Sequence, residues 1–166
     1  GCNVPLLLDA DALNILSQCD DWMSLVPVGS VLTPHPGEFA RLFGNTTSRY
    51  NAIDSVRAIA CDYGFTIVLK GAYTTIIAPD GNLYFNSTGN PGMATGGSGD
   101  VLTGIILSLL AQGYDSIDAA RIAVYAHGLA GDLAADVKGE TALVAGDIID
   151  YLPLAWRSLE RKETRP

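Results

Sequence analysis

The sequence has little positive charge and no long hydrophobic run, and each shortage excludes a class of protein. Ten Lys and Arg against 18 Asp and Glu give the 166 residues a net charge of −8. This balance supplies no basic stripe to neutralise a nucleic-acid backbone. No apolar run is long enough to span a bilayer, and the chain does not open on a signal-peptide pattern. We therefore expect neither nucleic acid nor a membrane as partner.

Cysteine is also scarce. Cys2, Cys19 and Cys61 are odd in number and widely spaced, without a C-x-x-C pair. This pattern excludes a disulfide framework and a paired-cysteine zinc site, and it favours reduced thiols in a cytoplasmic protein. The 48% hydrophobic and 17% charged content suffices for one domain, 1–166, with a sizeable core. A start at Gly1 rather than Met, almost directly into a strand, favours a partial chain.

Apolar segments that alternate between strand and helix patterns predict an α/β domain with a largely parallel sheet flanked by helices. The predicted strands are Pro5–Leu8, Val31–Thr33, Phe65–Leu69 and the hairpin pair Thr74–Ala78 and Leu83–Phe85. The predicted helices are Ala12–Ser17, Pro36–Phe43, Ser48–Tyr63, Val101–Gln112, Ile117–Asp136 and Ala145 to about Arg161. Ligands of such sheets bind beyond the carboxyl ends of the strands.

The segment Gly89–Asp100, here called the glycine run, leads directly into an apolar helix. Glycine allows close approach of a ligand, and the free N–H groups of a helix N-terminus suit a phosphate. Asp100 at such a site indicates proton transfer, so the run predicts phosphoryl-transfer chemistry. The alternatives are a tight connection and a first-turn acid stabilised by the helix dipole. Neither G-x-x-x-x-G-K-[ST] nor G-x-G-x-x-G after a strand is present.

Polar residues at other predicted strand ends have a structural and a functional interpretation. Asp9 and Asp11 fit a helix N-cap and its neighbour. His35 lies between two prolines that keep its backbone extended, which suits a ligand contact. Glu38 fits a first-turn acid. Lys70 either marks the protein surface or presents a cation to a nucleotide.

The predicted helix Ile117–Asp136 contains small residues and a histidine. The small residues are expected to allow close packing, since glycine inside a helix costs about 1 kcal/mol relative to alanine. They are Ala126, Gly128, Ala130, Gly131 and Ala134. His127 in their midst fits a core histidine.

Four segments together resemble the ADP- or ATP-dependent NAD(P)H-hydrate dehydratases, a family with a ribokinase-like fold. They occur in the family's order over almost the whole chain, and the second is the most specific. They are 5–14 (PLLLDADALN), 32–39 (LTPHPGEF), 68–71 (VLKG) and 90–102 (NPGMATGGSGDVL).

The resemblance implies repair of hydrated NADH or NADPH. A nucleotide phosphorylates the ring hydroxyl, phosphate then leaves, and ADP gives AMP. The implied co-substrate is ADP or ATP, with Mg²⁺. The alternatives are a vitamin-precursor kinase of the same superfamily and a nucleotide-binding fragment without turnover.

The resemblance also implies the site residues. Asp100 is the catalytic base and contacts the hydrated cofactor together with His35. Gly97, Ser98 and Gly99 form the anion hole for the transferring phosphoryl group.

The nucleotide-binding residues that the resemblance implies are Lys70, Gly71, Ala72, Tyr73, Thr74 and Gly99. Glu38 corresponds to an acid that organises Mg²⁺ in the superfamily.

The chain departs from the family at its N-terminus, where family domains continue for about a hundred further residues that help to build the substrate pocket. The chain lacks these N-terminal strands, so we expect a partial domain. The uncovered sheet edge and apolar surface favour a homo-oligomer.

Overall fold

A five-stranded sheet, with its strands in chain order, forms the middle layer of the computed structural model, which describes residues 4–45 and 49–160. Its strands are β1 (Leu7–Leu8), β2 (Val31–Leu32), β3 (Thr66–Leu69), β4 (Thr75–Ile77) and β5 (Leu83–Phe85). The first three strands are parallel, whereas β3, β4 and β5 pair antiparallel. The sheet is therefore mixed rather than largely parallel, because two of its four strand pairings, β3–β4 and β4–β5, are antiparallel.

Seven α-helices flank the sheet in the described part of the chain. They are α1 (Asp11–Leu16), α2 (Trp22–Leu25), α3 (Pro36–Phe43), α4 (Arg49–Tyr63), α5 (Ser98–Ala111), α6 (Ser116–Lys138) and α7 (Ala145–Leu159). Both predicted ends of α3 are confirmed, and α2 was not predicted. Helix α5 starts at Ser98, three residues before the predicted Val101, because the left-handed Gly97 directly precedes its first turn. The predicted ends Ser48 and Arg161 lie outside the described residues.

Helices cover both faces of the sheet. Successive residues of a strand point to opposite faces, so neighbouring residues of β3 pack with different helices. Ile67 and Leu69 pack with α1, α3 and α4 in one core cluster. Val68, between them, packs with α5 and α6 in another. Helix α7 lies against α6 through a third cluster that includes Ala130 and Ile148. The chain therefore forms three layers, with α7 added outside one of them.

The small residues of α6 make room for the start of the glycine run as well as for helix packing. A Cβ on Gly128 would lie 2.3 Å from Thr88 Oγ1 and 2.8 Å from the Thr88 carbonyl carbon. A Cβ on Gly131 would lie 2.3 Å from Met93 Sδ. Glycine is therefore needed at 128, where the backbone of Thr88 lies directly on the helix, whereas at 131 the flexible side chain of Met93 would have to move.

His127 joins α6 to the first turn of α5. Its Nε2 lies 2.9 Å from the Ser98 carbonyl oxygen, which accepts a hydrogen bond from the ring. Burial disfavours the charged ring and lowers its pKa to about 4, although the bond to Ser98 acts in the opposite direction. A structural role for His127, as expected from the sequence, agrees with this environment.

Two further sequence expectations concern thiols and membrane spans. Cys19 and Cys61 are exposed and free, whereas Cys2 lies outside the described residues. Among residues 4–45 and 49–160, no helix combines the length and apolar character needed to cross a bilayer.

Gly128→Ala is expected to lower the free energy of unfolding by about 1–3 kcal/mol, because the added methyl group overlaps the backbone of Thr88. Gly104→Ala in α5 is a matched control, since nothing lies within 4 Å of its Cβ position. The control should raise stability by about 0.5–1 kcal/mol through helix propensity. Urea unfolding measures both changes. Equal stabilisation by the two variants would contradict the packing described for Gly128.

Lowering the pH from 7 to 5 is expected to reduce the free energy of unfolding by about 2 kcal/mol through His127. The unfolded chain binds the proton with a pKa near 6.5 and the folded chain with a pKa of about 4. The contribution of neutral His127 to the free energy of unfolding is therefore present above the unfolded-state pKa. It is lost as the pH falls from the unfolded-state pKa toward the folded-state pKa. Urea unfolding at several pH values measures it. His127→Gln should lose most of this pH dependence, and an unchanged slope in that variant would refute the assignment.

Candidate functional site

One carboxylate connects three elements at the carboxyl end of the parallel strands. Asp9, directly after β1, accepts from the Lys70 ammonium at 2.6 Å through Oδ1. Its Oδ2 accepts from the Thr103 hydroxyl on α5, also at 2.6 Å. Lys70 directly follows β3, and its side chain is only 19% exposed. Lys70 therefore does more than mark the surface, and its charge is directed into the site.

The environment of Asp9 favours its charged form. Burial alone would raise its pKa, but hydrogen bonds from Lys70 and Thr103 and the Lys70 charge outweigh burial. The pKa of the Asp9 carboxyl therefore lies below its usual range. The pair is an ion pair at neutral pH.

The expected capping role of Asp9 is wrong. The N-cap position of α1 belongs to Ala10, and no side chain caps this helix. Ala10 has φ 49° and ψ −120°, a conformation that costs a non-glycine residue energy. This sharp turn leaves Asp9 outside the helix and facing β3. Asp11 lies in the first turn of α1 and is exposed.

His35 and Glu38 cap α3 reciprocally. His35 Nδ1 accepts from the Gly37 amide at 2.9 Å and the Glu38 amide at 3.4 Å. Glu38 Oε2 accepts from the His35 amide at 2.8 Å. A Cβ on Gly37 would lie 2.8 Å from His35 Cε1, so glycine lets the ring fold over the helix start. Pro36 occupies the first helical position, where its missing N–H costs nothing.

This cap also places Glu38 beside the ion pair. The Glu38 side chain is 5% exposed, and Oε2 lies 3.8 Å from Lys70 Nζ. Since Nδ1 of His35 accepts two amides, the proton of the neutral ring lies on Nε2, which is 3.2 Å from Glu38 Oε1. Both interpretations of Glu38 are therefore compatible: it is a first-turn acid and it faces the site. Asp9, Glu38, Lys70 and Thr103 are called the Asp9 cluster below.

The N-terminus of α5 adjoins the Asp9 cluster. Gly97 is left-handed with φ 88°, and Ser98 and Gly99 begin the helix. A Cβ on Gly99 would lie 3.5 Å from Lys70 Nζ, so the ammonium approaches the first turn. Within residues 4–45 and 49–160, the amides of Gly97 and Gly99 donate to no backbone carbonyl. Free amides and a nearby cation are the groups that bind a phosphate.

Asp100 lies on the adjoining face of the same turn. It is exposed, and with Gly104 and Ser108 it lines an open groove of about 750 Å³ between α5 and α7. Ile149 and Trp156 of α7 form the opposite wall. The carboxylate is therefore accessible to a ligand that occupies the α5 N-terminus.

The nucleotide-binding segment expected from the sequence forms the turn between β3 and β4. Gly71 has φ 146°, and Tyr73 is left-handed with φ 56° and 77% exposed. Thr74 closes the turn by donating from its hydroxyl to the Gly71 carbonyl at 3.1 Å. Ala72 is exposed in the same turn. Since Lys70 starts this turn, the segment lies at the same edge as the Asp9 cluster.

The glycine run divides into two parts with different roles. Gly89 donates from its amide to Asp132 Oδ2 at 2.8 Å, and Asn90 donates from its side chain to Asp132 Oδ1 at 3.0 Å. A Cβ on Gly92 would lie 2.4 Å from the Glu140 carbonyl oxygen. These contacts are internal packing, whereas the second part of the run, 96–99, lies at the α5 N-terminus.

Sequence reasoning missed two members of the site. Thr103 is a hydroxyl inside an apolar helix, four residues after Gly99, and this spacing places both on one face. Asp9 follows an apolar strand, and a carboxylate in that position also fits a helix N-cap.

The family model of the NAD(P)H-hydrate dehydratases (Carb_kinase) matches residues 2–154. The bifunctional NAD(P)H-hydrate repair enzyme of Moorella thermoacetica is 47% identical over 161 residues, which cover 96% of this chain and 30% of that protein. The ADP-dependent (S)-NAD(P)H-hydrate dehydratase of Neisseria meningitidis is 47% identical over 149 residues, covering 87% and 50%. The chain thus spans 30% and 50% of the lengths of these two relatives.

The fold is also similar to solved structures. The ADP/ATP-dependent NAD(P)H-hydrate dehydratase of Bacillus subtilis, crystallised with ATP and Mg²⁺, superposes with a TM-score of 0.79 at 34% identity. The match covers 96% of this chain and 56% of that one. Arabidopsis thaliana ribokinase shares the fold at 18% identity, with a TM-score of 0.52 and coverage of 90% and 47%. The matched motifs, the shared ribokinase-like fold and the site at the strand ends agree, and the chain belongs to the NAD(P)H-hydrate dehydratase family.

Proposed function

We propose that this chain carries the site for nucleotide-dependent dehydration of hydrated NADH or NADPH. The observation that carries the proposal is the meeting of the Lys70 ammonium, the free amides of the α5 N-terminus and the accessible carboxylate of Asp100. The names of the relatives, which are ADP-dependent or ADP/ATP-dependent dehydratases, support a nucleoside diphosphate or triphosphate as co-substrate.

The proposed site residues have two roles, proton transfer and stabilisation of charge. Asp100 takes the proton of the ring hydroxyl, whose oxygen then attacks the terminal phosphorus, and AMP leaves when ADP is the donor. The free amides of Gly97 and Gly99 stabilise negative charge on the transferring group. The Ser98 amide, which donates to the Thr95 carbonyl at 3.3 Å, would exchange that bond for a phosphoryl oxygen. Phosphate then departs from the ring carbon, and the neighbouring ring carbon releases a proton to water as the double bond forms between the two carbons, which gives NADH or NADPH. His35 contacts the hydrated cofactor at the same rim.

The nucleotide is proposed to bind along the turn from Lys70 to Thr74, with Gly99 beside its phosphates. Lys70 supplies the cation that the geometry already places next to Gly99. The exposed ring of Tyr73 and the backbone of Gly71 and Ala72 lie within the same turn.

The carboxylate oxygens of the site fit a magnesium ion that binds together with a nucleotide. Mg²⁺ in such sites binds one or two carboxylates together with substrate phosphates. Glu38 and Asp9 supply two carboxylates on either side of the Lys70 ammonium. In the described ranges, no group of three His, Cys, Asp or Glu residues forms a full protein site for a metal. When bound, the ion would neutralise charge on the phosphates.

We further infer a homo-oligomer in the cytoplasm. The open groove beside α5 carries the exposed side chains of Ile149 and Tyr114. Exposed apolar surface of this kind favours association. Light scattering of the purified chain measures the assembly.

The assay mixes the chain with hydrated NADH, Mg²⁺ and ADP or ATP and follows the return of reduced-nicotinamide absorbance. Nucleotide-dependent recovery supports the proposal. A phosphorylated product without recovery would instead indicate a small-molecule kinase, and nucleotide binding without turnover a binding fragment.

Asp100→Asn is expected to lower the rate of recovery by at least about a hundredfold, because the amide cannot accept the hydroxyl proton. Its affinity for ADP, measured by calorimetry, should change little. Asp11→Asn is the matched control, since Asp11 is exposed in the first turn of α1. A near-normal rate in Asp100→Asn would remove Asp100 from the catalytic role.

Lys70→Gln is expected to weaken ADP binding about tenfold, because a charged hydrogen bond to phosphate is lost. Calorimetry in the presence of Mg²⁺ measures the affinity. Lys138→Gln is a control that removes a lysine whose ammonium pairs with Asp147 at the start of α7. Equal affinities of wild type and Lys70→Gln would place the nucleotide elsewhere.

A further inference from the structure

Helix α6 contacts the glycine run at both of its ends. Near the start, the Asp132 carboxylate accepts from the Gly89 amide at 2.8 Å and from Asn90 Nδ2 at 3.0 Å. At the other end, His127 Nε2 lies 2.9 Å from the carbonyl oxygen of Ser98. The two anchoring side chains are five positions apart on one helix, whereas their targets are nine positions apart in the run.

Packing and local hydrogen bonds add to these anchors. Asn90 Oδ1 accepts from the Gly92 amide at 3.1 Å, so the residue bound to Asp132 also shapes the next turn. Before the run, the Thr88 hydroxyl donates to the Tyr125 carbonyl of α6 at 3.0 Å. The Met93 side chain lies over Gly131. Side-chain hydrogen bonds and close packing therefore hold the first part of the run against α6.

The second part of the run has no comparable fastening to α6 before its end. Gly96 has nothing within 4 Å of its Cβ position, and it is exposed. The two anchored ends set the conformation of 94–97 together with local bonds from the Ala94 amide to the Pro91 carbonyl at 3.1 Å and from the Ser98 amide to the Thr95 carbonyl at 3.3 Å. A Cβ on Gly97 would lie 3.1 Å from Ala145 Cβ, so this stretch also approaches α7. It supplies amides to the α5 N-terminus.

We propose that Asp132 and His127 are positioning residues, which fix the amides of the anion hole by holding both ends of the glycine run on α6. The proposal rests on the function proposed above for Gly97–Gly99. Neither side chain touches the reacting atoms. They act by removing conformational freedom from the loop before the phosphates arrive, so that less entropy is lost on binding.

The test compares Asp132→Asn with wild type by amide hydrogen exchange without ligand and by calorimetric titration with ADP and Mg²⁺. Asparagine has the same shape but offers one acceptor oxygen for two donors, so one anchor bond is lost. Exchange should accelerate by about fivefold or more at the Ser98 and Val101 amides, which donate to the Thr95 and Gly97 carbonyls and lie at least eight residues from the altered anchor at Asn90. ADP binding should weaken about tenfold while the melting temperature changes little.

A second variant and a control separate positioning from general loss of stability. His127→Leu removes the other anchor and should accelerate exchange at the same amides. Asp118→Asn makes the same chemical change on the same helix, where the carboxylate pairs with Arg121 at 3.2 Å. It lies 14 positions from Asp132, about 21 Å along the helix, and should leave both measurements unchanged.

The outcomes distinguish this proposal from the proposed function. Faster exchange confined to Gly89, or unchanged ADP affinity despite faster exchange at Ser98 and Val101, would overturn the positioning role. If the wild-type chain bound no ADP, the proposed function would fail, and exchange at Ser98 and Val101 would still decide whether the anchors control the loop.

Discussion

The ion pair between Asp9 and Lys70 is the interaction on which the arrangement of the site depends. Its two side chains are 10% and 19% exposed, and they join the end of β1 to the end of β3. The Thr103 hydroxyl adds α5 to the same carboxylate. Removing one partner of a pair this enclosed leaves a charge with poor solvation, which is more costly than losing the attraction itself. The strand ends and α5 are therefore fixed relative to one another.

The charge balance at the site explains how an acidic chain can bind a phosphate. The Asp9 cluster contains two carboxylates against one ammonium, so its own side chains give no net positive charge. Attraction for an anion must then come from the oriented amides of the α5 N-terminus and from a cation that arrives with the ligand. Backbone amides carry no formal charge, and their number is independent of the net charge of −8.

The sequence predicted the elements and the rim of the site well, because both follow from local patterns. The order of strands and helices follows from apolar periodicity, and the short segment 34–38 contains nearly all the information needed for the α3 cap. The partners of Asp9 were beyond this kind of reasoning. Lys70 and Thr103 lie 61 and 94 positions away along the chain, and only the packed sheet brings them together.

The start of α5 and the division of the glycine run were also beyond prediction. Glycine density indicates flexible backbone conformations, but it does not distinguish a glycine that faces a ligand from one that faces another helix. Gly92 and Gly97 look alike in the sequence. The first is required by the backbone of Glu140, and the second by a left-handed turn at the helix start. The difference is set by α6 and by the segment before α7, which are distant in the chain.

The division of the glycine run has a consequence for how its sequence can diverge. A methyl group on Gly128 would overlap the backbone of Thr88, which no change of the Thr88 side chain relieves, so glycine is fixed at that position. A methyl group on Gly131 would meet the flexible side chain of Met93, so these two positions can change together. Gly96 has no neighbour within 4 Å of its Cβ position in the described part of the chain, so packing sets no limit on its side chain. The start of this short loop can therefore vary only where a side chain rather than backbone lies opposite, whereas its middle is free of that constraint.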